Sequence, residues 1–183
     1  MKLVIIDVET TGLNVRYDFI YEVGIAFIND KSITVKRYLI ARELRLKDKI
    51  IMNKLRNWPM DIDFTPGKSE KEIIYEMNAD VKEFFGDKKH IYSAYNKSFE
   101  EKFLSEWGFP KFDICLMKDV AMPLMVRGNA LPYNEKYDSY KWPKIEEALS
   151  FYGIEFDDLH TADQDVMKEA ELYLKVQEMI VNE

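Results

Sequence analysis

The amino-acid sequence predicts an α/β domain in which a mixed β-sheet is covered by helices, and three observations carry that prediction. Three strand-like runs follow one another through short connections at the start of the chain. Beyond them, stretches with helical spacing of apolar residues alternate with two further strand candidates. The 183 residues contain no linker, repeat or low-complexity tract, and their length and 47% hydrophobic content suit one packed domain over 1–183.

The first run, Leu3 to Ile6, is continuously apolar, as in a buried strand, and leads directly into Asp7, Glu9, Thr10, Thr11 and Gly12. Side chains alternate along a strand, so Asp7 and Glu9 share a face, with Cα atoms about 6.6 Å apart. Two carboxylates at that spacing reach a common cation, although acids at strand ends also occur simply as solvated terminators. Phe19 to Ile28 and Ile33 to Ala41 complete an antiparallel meander, turned by Asn29, Asp30 and Lys31. Glu22 stands inside the second strand with no evident task.

Residues 42–68 are irregular, broken by Trp58-Pro59 and Pro66-Gly67, and read as a helix or helical turn followed by a loop. Ser69 with Glu72 forms a capping box for a helix whose apolar residues run from Ile73 to Phe85 and stop at Gly86. His90 to Tyr95 reads as a short strand. Ser98 with Glu101 is a second capping-box match, opening a helix to about Trp107. At about 100° per residue from Phe99, Glu100 falls near 100°, between Trp107 near 80° and Leu104 near 140°. An acid centred on a core-facing stripe is costly unless a cation or hydrogen-bond donors meet it.

Residues 113–117 predict another strand, Asp119 to Val126 a short helix around Pro123, and Gly128 to Trp142 a tyrosine-rich surface loop. Pro143 to Tyr152 reads as a helix ending at Gly153. The last helix opens at Thr161 with a third capping-box match, Gln164, and continues to about Val181. At about 100° per residue from Ala162, Asp165 lies near 300°, between Leu172 near 280° and Val176 near 320°. Asp163, near 100°, also borders the apolar arc, so periodicity leaves both acids open.

Composition excludes several classes. No apolar run approaches the about 20 residues of a membrane span, and the acids at 7 and 9 interrupt the only resemblance to a signal peptide. The single cysteine, Cys115, excludes an internal disulfide and a cysteine-rich zinc site, which fits a reducing, cytoplasmic compartment. A net charge of −7 argues against a surface coated in positive charge for indiscriminate nucleic-acid binding. Lys36 to Arg56 nevertheless holds eight basic residues against two acids, leaving −13 for the remainder. That segment is either a solvated face or a track for a polyanion.

Asp7, Glu9, Glu100 and Asp165 therefore stand out as acids facing the interior at the ends of elements. Oxygen-only donors of this kind select Mg²⁺ or Mn²⁺, and two such ions about 4 Å apart suit in-line phosphoryl displacement, here hydrolysis of a phosphodiester. The water must lose a proton. His160, close to Asp165, is the better placed of the two histidines.

These residues give the chain a resemblance to the DEDDh group of 3′-5′ exonucleases, which includes the proofreading subunit of bacterial replicative polymerase, ribonuclease T and oligoribonuclease. Asp7-Val8-Glu9-Thr10-Thr11-Gly12 matches the first motif of that group, and Tyr95-Asn96-Lys97-Ser98-Phe99-Glu100 the second. His160-Thr161-Ala162-Asp163-Gln164-Asp165 matches the third, whose histidine-to-aspartate spacing favours Asp165 over Asp163. The resemblance implies a ribonuclease H-like fold with a five-stranded mixed sheet flanked by helices, two divalent cations on the four acids, and His160 as general base. It further implies that Thr10, Thr11, Gly12 and Leu13 hold the terminal nucleotide, with Asn96 and Phe99 nearby. The implied activity is release of nucleoside monophosphates from the 3′ end of single-stranded DNA or RNA. Two positions depart from the pattern: Glu100 stands where the group has aspartate, and Tyr95 where it has histidine. The longer Glu100 side chain motivates an alternative, a catalytically weak relative that binds nucleic-acid ends or a protein partner. No C-terminal polymerase-tethering segment is recognisable, so stable polymerase association is not expected, while a homodimer stays open.

Overall fold

The computed structural model describes residues 2–56, 66–156 and 161–182. Its centre is a five-stranded mixed sheet in the order β3-β2-β1-β4-β5. Strand β1 (Lys2–Thr10) pairs antiparallel with β2 (Ile20–Asn29), which pairs antiparallel with β3 (Ser32–Leu39). On its other side β1 runs parallel to β4 (Ile91–Ala94), and β4 parallel to β5 (Ile114–Cys115). The expected mixed α/β sheet flanked by helices is thus the one observed.

Both faces of β1 are covered, which is why its sequence is continuously apolar rather than alternating. Leu3 and Ile5 join the core beneath the long helix α6 (Ala162–Asn182), with Val166, Ala170 and Tyr173. Val4, Ile6 and Val8 pack on the opposite side with Ile73 and Met77 of α2 (Glu70–Phe85) and Phe103 of α3 (Lys97–Leu104). Alternation then places Asp7 and Glu9 on the α6 face, in line with Leu3 and Ile5. Pairing of β1 with β2 becomes irregular between Glu9 and Thr10, the point at which a β-bulge re-aims side chains.

The helix α1 (Leu46–Arg56) occupies part of the stretch read as a helix or helical turn. The Trp58-Pro59 breaker lies outside the described residues. At α2 the capping box forms in full: Glu72 N–H donates to Ser69 Oγ, and Ser69 N–H donates to Glu72 Oε2 at 2.8 Å. At α3 the expected box does not form. Its N-cap is Asn96, and Glu101 instead accepts the Phe112 N–H at 2.7 Å, bridging to the chain ahead of β5. A 3₁₀ turn, Ser105–Trp107, completes the predicted helical stretch.

Strand β5 stops after two residues rather than continuing to Met117. Asp119 Oδ2 accepts the Cys115 N–H at 2.8 Å, and the chain turns into a π-helical segment, Leu116–Ala121, followed by α4 (Met122–Arg127). The segment read as a surface loop contains a small hairpin, β6 (Tyr133–Asn134) and β7 (Ser139–Tyr140). Tyr133 and Tyr140 face each other across it with ring centroids 5.0 Å apart, a cross-strand aromatic pair that fixes the register. Short helix α5 (Ile145–Phe151) leads to Gly153, whose φ of 67° lies in the left-handed region where glycine is favoured. Among the described residues no helix is long and apolar enough to cross a membrane.

Candidate metal centre

Three carboxylates from elements more than 150 residues apart converge at the end of β1. Ligand oxygens of Asp7, Glu9 and Asp165 all lie within 4.8 Å of one another. Glu9 is 5% exposed, while Asp7 and Asp165 are partly buried. Asp163, the competing acid, instead faces Arg37, whose Nε lies 3.6 Å from its Oδ1.

Glu100 is buried in the first turn of α3, as its place on the apolar stripe required. Burial pushes its carboxyl up to about 8, its own backbone N–H opposes that shift, and the charge of Glu9 adds to it. Asp7 is driven well above the ordinary carboxylate range, first by burial and then by Glu9, Glu169, Asp165 and Glu100. Glu169 was not among the acids singled out from the sequence. It is 3% exposed, raised by burial and by Glu100 and Asp165, and opposed by a hydrogen bond from the Tyr95 backbone N–H. Its position on the helix was readable: at about 100° per residue from Ala162 it lies near 340°, beside Val176 on the core stripe.

Asp7 Oδ2, Glu100 Oε2 and Glu169 Oε2 are buried and accept no hydrogen bond from the described residues. The charged groups that act most on these three carboxyls are other acids, joined at Glu169 by Cys115. Buried acids are tolerated only when paired, neutralised or bound to a cation, and a donor set made entirely of carboxylate oxygens suits Mg²⁺ or Mn²⁺. The residues present fit such ions.

A second unforeseen device seats the helix that carries Asp165 and Glu169. Glu22 is fully buried on the α6 face of β2, where its Oε1 accepts the Ala162 N–H at 2.8 Å and Arg37 Nε at 2.7 Å. It thereby caps the start of α6, where an anionic side chain is stabilising. Two residues on, Gly24 lets the helix start touch the strand: a Cβ there would lie 2.0 Å from the Ala162 carbonyl oxygen. At the same helix start Thr161 Oγ1 donates to Gln164 Oε1 at 2.7 Å, so Thr161 and Gln164 interact through their side chains.

The proposed nucleotide-holding residues occupy the loop after β1 and the start of α3. Thr10 Oγ1 donates to the Gly12 carbonyl at 2.7 Å. Thr11 is buried, its N–H donating to the Phe19 carbonyl and its Oγ1 accepting the Phe19 N–H, so its polar groups brace the loop itself. Gly12 lies against Asp18, whose carboxylate a Cβ would meet at 2.4 Å. Leu13 is 75% exposed, and Lys102 Nζ donates to its carbonyl at 3.0 Å. Asn96 is exposed and Phe99, half-buried, packs on Phe103. Tyr95 is buried, its hydroxyl donating to the Pro143 carbonyl at 3.0 Å. His160 lies outside the described residues.

The basic segment is internally paired at several points. Lys36 meets Asp80, Arg37 meets Glu22, Arg42 meets Glu70 and Arg45 meets Asp48. For these four residues a structural face, rather than a polyanion track, is what the contacts support.

No family model matches the sequence, and no curated protein matches it. Solved structures do match the fold. Exonuclease I from Methylocaldum szegediense aligns over 97% of this chain and 40% of its own, with a TM-score of 0.68 and 14% identity. The zinc-bound complex of E. coli exonuclease I with single-stranded DNA aligns over 98% of this chain and 42% of its own, with a TM-score of 0.67 and 13% identity. Cell-death related nuclease 4 (CRN-4) aligns over 97% and 64%, with a TM-score of 0.70 and 18% identity. The chain therefore has the ribonuclease H-like fold that the resemblance implied, and spans about two fifths of the exonuclease I chains.

Proposed function

We propose that this protein is a metal-dependent 3′-5′ exonuclease that releases nucleoside monophosphates from the 3′ end of single-stranded DNA or RNA. The observation that carries the reading is the convergence of Asp7, Glu9 and Asp165 within 4.8 Å, beside buried carboxylate oxygens that no hydrogen-bond donor satisfies. The exonuclease fold supports the reaction class, and the single-stranded DNA bound by E. coli exonuclease I supports the substrate class.

Asp7, Glu9, Glu100 and Asp165 are the residues that hold the ions. With two Mg²⁺ or Mn²⁺ ions bound, these carboxylates would bring to the phosphate Lewis-acid stabilisation of its developing charge and a more acidic attacking water. His160 accepts the proton of the attacking water, a task suited to its ordinary pKa of about 6.5. Leu13, exposed at the loop tip, offers an apolar surface for the terminal base, with Phe99 and Asn96 on the α3 side.

Incubating matched 5′-labelled DNA and RNA oligonucleotides with Mg²⁺ or Mn²⁺ tests this. A ladder of shortened products, absent with Asp7→Ala or with chelator, is the expected result. Absence of metal-dependent shortening, or equal shortening by the variant, overturns it. Glu100, one methylene longer than the aspartate of the family pattern, favours a second reading, an end-binding domain of weak activity. Retention of the oligonucleotide without shortening is the signature of that reading.

A further inference from the structure

We infer that the β6–β7 hairpin and the Lys118–Trp142 pair beside it form a stacking platform for single-stranded nucleic acid upstream of the 3′ end. This rests on the exonuclease reading above and extends it from the terminal nucleotide to the strand behind it.

The hairpin exposes aromatic surface that its own folding does not use. Tyr133 is accounted for, since it packs on Tyr140 across the strands and its hydroxyl donates to Asp138. Tyr137, in the turn, is 67% exposed, with Lys136 Nζ 5.2 Å from its ring centroid. Trp142 is 56% exposed, and Lys118 Nζ lies 3.7 Å from its ring centroid. A cation over one face of an indole leaves the other face for a second flat partner. Tyr137, Tyr140 and Trp142, with Lys136 and Lys141, line an open groove of about 740 Å³.

Tyr95 fixes this platform next to the metal centre. In the parallel pairing of β1 with β4, Ile5 lies opposite Ser93, so Tyr95 follows at the level of Asp7. The Tyr95 carbonyl accepts the Met117 N–H at 3.0 Å, which seats the π-helical turn that carries Lys118. Its hydroxyl donates to the Pro143 carbonyl at 3.0 Å, which seats the residue after Trp142. One buried tyrosine, at the position where the family pattern has histidine, thus ties both halves of the Lys118–Trp142 pair to the sheet edge that bears the acids.

The chemistry of the platform selects its occupant. Bases joined by phosphates suit ring faces flanked by lysines, and every base offers such a face whatever the sequence. Lys118, Lys136, Lys141 and Lys144 are exposed here against Glu135 and Asp138 of the hairpin, in a chain whose net charge is −7. Each of the two open rings has a lysine against it. A polyanion whose flat groups stack meets both features, whereas an apolar peptide or an apolar face of a second copy meets the rings alone.

Fluorescence anisotropy of the full chain with 5′-labelled DNA and RNA strands of about 12 nucleotides, in chelator so that neither is cut, tests this. Trp142→Ala is expected to bind about tenfold more weakly than wild type, and Trp142→Tyr to recover most of that loss. Lys118→Gln should bind about two- to fivefold more weakly. The loss should be equal on DNA and RNA, because stacking does not involve the 2′-hydroxyl. The Mn²⁺-induced rise in Tm of Trp142→Ala should match that of wild type. Affinity lost together with that rise overturns the inference, since Trp142 would then act through the fold. Unchanged affinity of Trp142→Ala overturns it while metal-dependent shortening leaves the exonuclease reading standing. A wild-type dimer that Trp142→Ala dissolves without loss of affinity overturns it and assigns the face to a second copy. Wild-type protein that neither binds nor shortens the strands overturns the exonuclease reading along with it, so the two failures are distinct.

Discussion

Replacing Gly24 by alanine tests how the acid-bearing helix is positioned. The new Cβ would lie 2.0 Å from the Ala162 carbonyl oxygen, 2.3 Å from its carbon and 2.9 Å from the Asp163 nitrogen. These partners are backbone atoms, so no side-chain rotation relieves the contact. To open it from 2.0 Å to at least 3.0 Å, the start of α6 must retreat from β2. That retreat lengthens the 2.8 Å bond from Ala162 N–H to Glu22, which is buried at both ends. Leaving those groups unpaired costs about 1–3 kcal/mol, and forcing extra volume into a packed site costs about 1–3 kcal/mol more. For a domain of this size each kcal/mol lowers Tm by about 2–4 °C, so the combined fall is about 4–24 °C. Asp165 lies in the first turn of the same helix, and misplacing a reacting group by about 1 Å can cost about 10²-fold in rate. Differential scanning fluorimetry without metal, followed by Mn²⁺ titration, reads both effects. A Tm within one or two degrees of wild type with undiminished Mn²⁺ stabilisation would refute the reasoning, because the helix would then tolerate being moved.

The remaining predictions concern charge, capping and the proton acceptor. Glu100 is held protonated up to about 8 when folded, against 4.5 ordinarily, and Asp7 and Glu169 are shifted in the same direction. The unfolded chain releases these protons first, so the stability they contribute is complete below about pH 4.5 and is lost as pH rises toward 8. In chelator, Tm should therefore fall from pH 5 to pH 8, and Mn²⁺ should restore it most at the higher pH; a metal-free Tm that rises over that range contradicts the assigned shifts. Ser69→Ala removes the capping interaction of α2 and should cost about 1 kcal/mol in denaturant unfolding while leaving Mn²⁺ binding unchanged. His160→Ala should lose most of the turnover in the oligonucleotide assay with Mn²⁺ binding retained, and full turnover by that variant removes His160 from the mechanism.

Much of the fold was legible because it rests on short-range pattern. The continuous apolar run of β1, the turn at Asn29 to Lys31 and the helical spacing of α2 and α6 each follow from neighbours within a few residues. The same is true of Glu100, whose place on an apolar stripe already marked it as buried. Errors fell where a local signal met a competing partner. The Ser98 capping box was displaced because Glu101 is engaged by the Phe112 N–H, and β5 was cut short by Asp119 bonding back to Cys115. The tyrosines of the 128–142 segment pair across a hairpin whose strands are too short to produce a periodic signal.

By itself the sequence determined the layered α/β architecture, the alternation that puts Asp7 and Glu9 on one face, and the burial of an acid at position 100. These are consequences of strand and helix periods, which act over one or two turns. Only the tertiary structure decided which acids meet. Asp165, which the motif spacing favoured and helical periodicity left level with Asp163, meets Asp7 and Glu9 while Asp163 faces Arg37, and Glu22 and Gly24 acquired their tasks from a helix start about 140 residues away in sequence. The charge of Glu169 reaches Asp7 because α6 lies along the β1 face that carries Asp7. No period within the chain encodes such a meeting; it arises when the sheet brings remote elements within the few ångströms over which buried carboxylates act on one another.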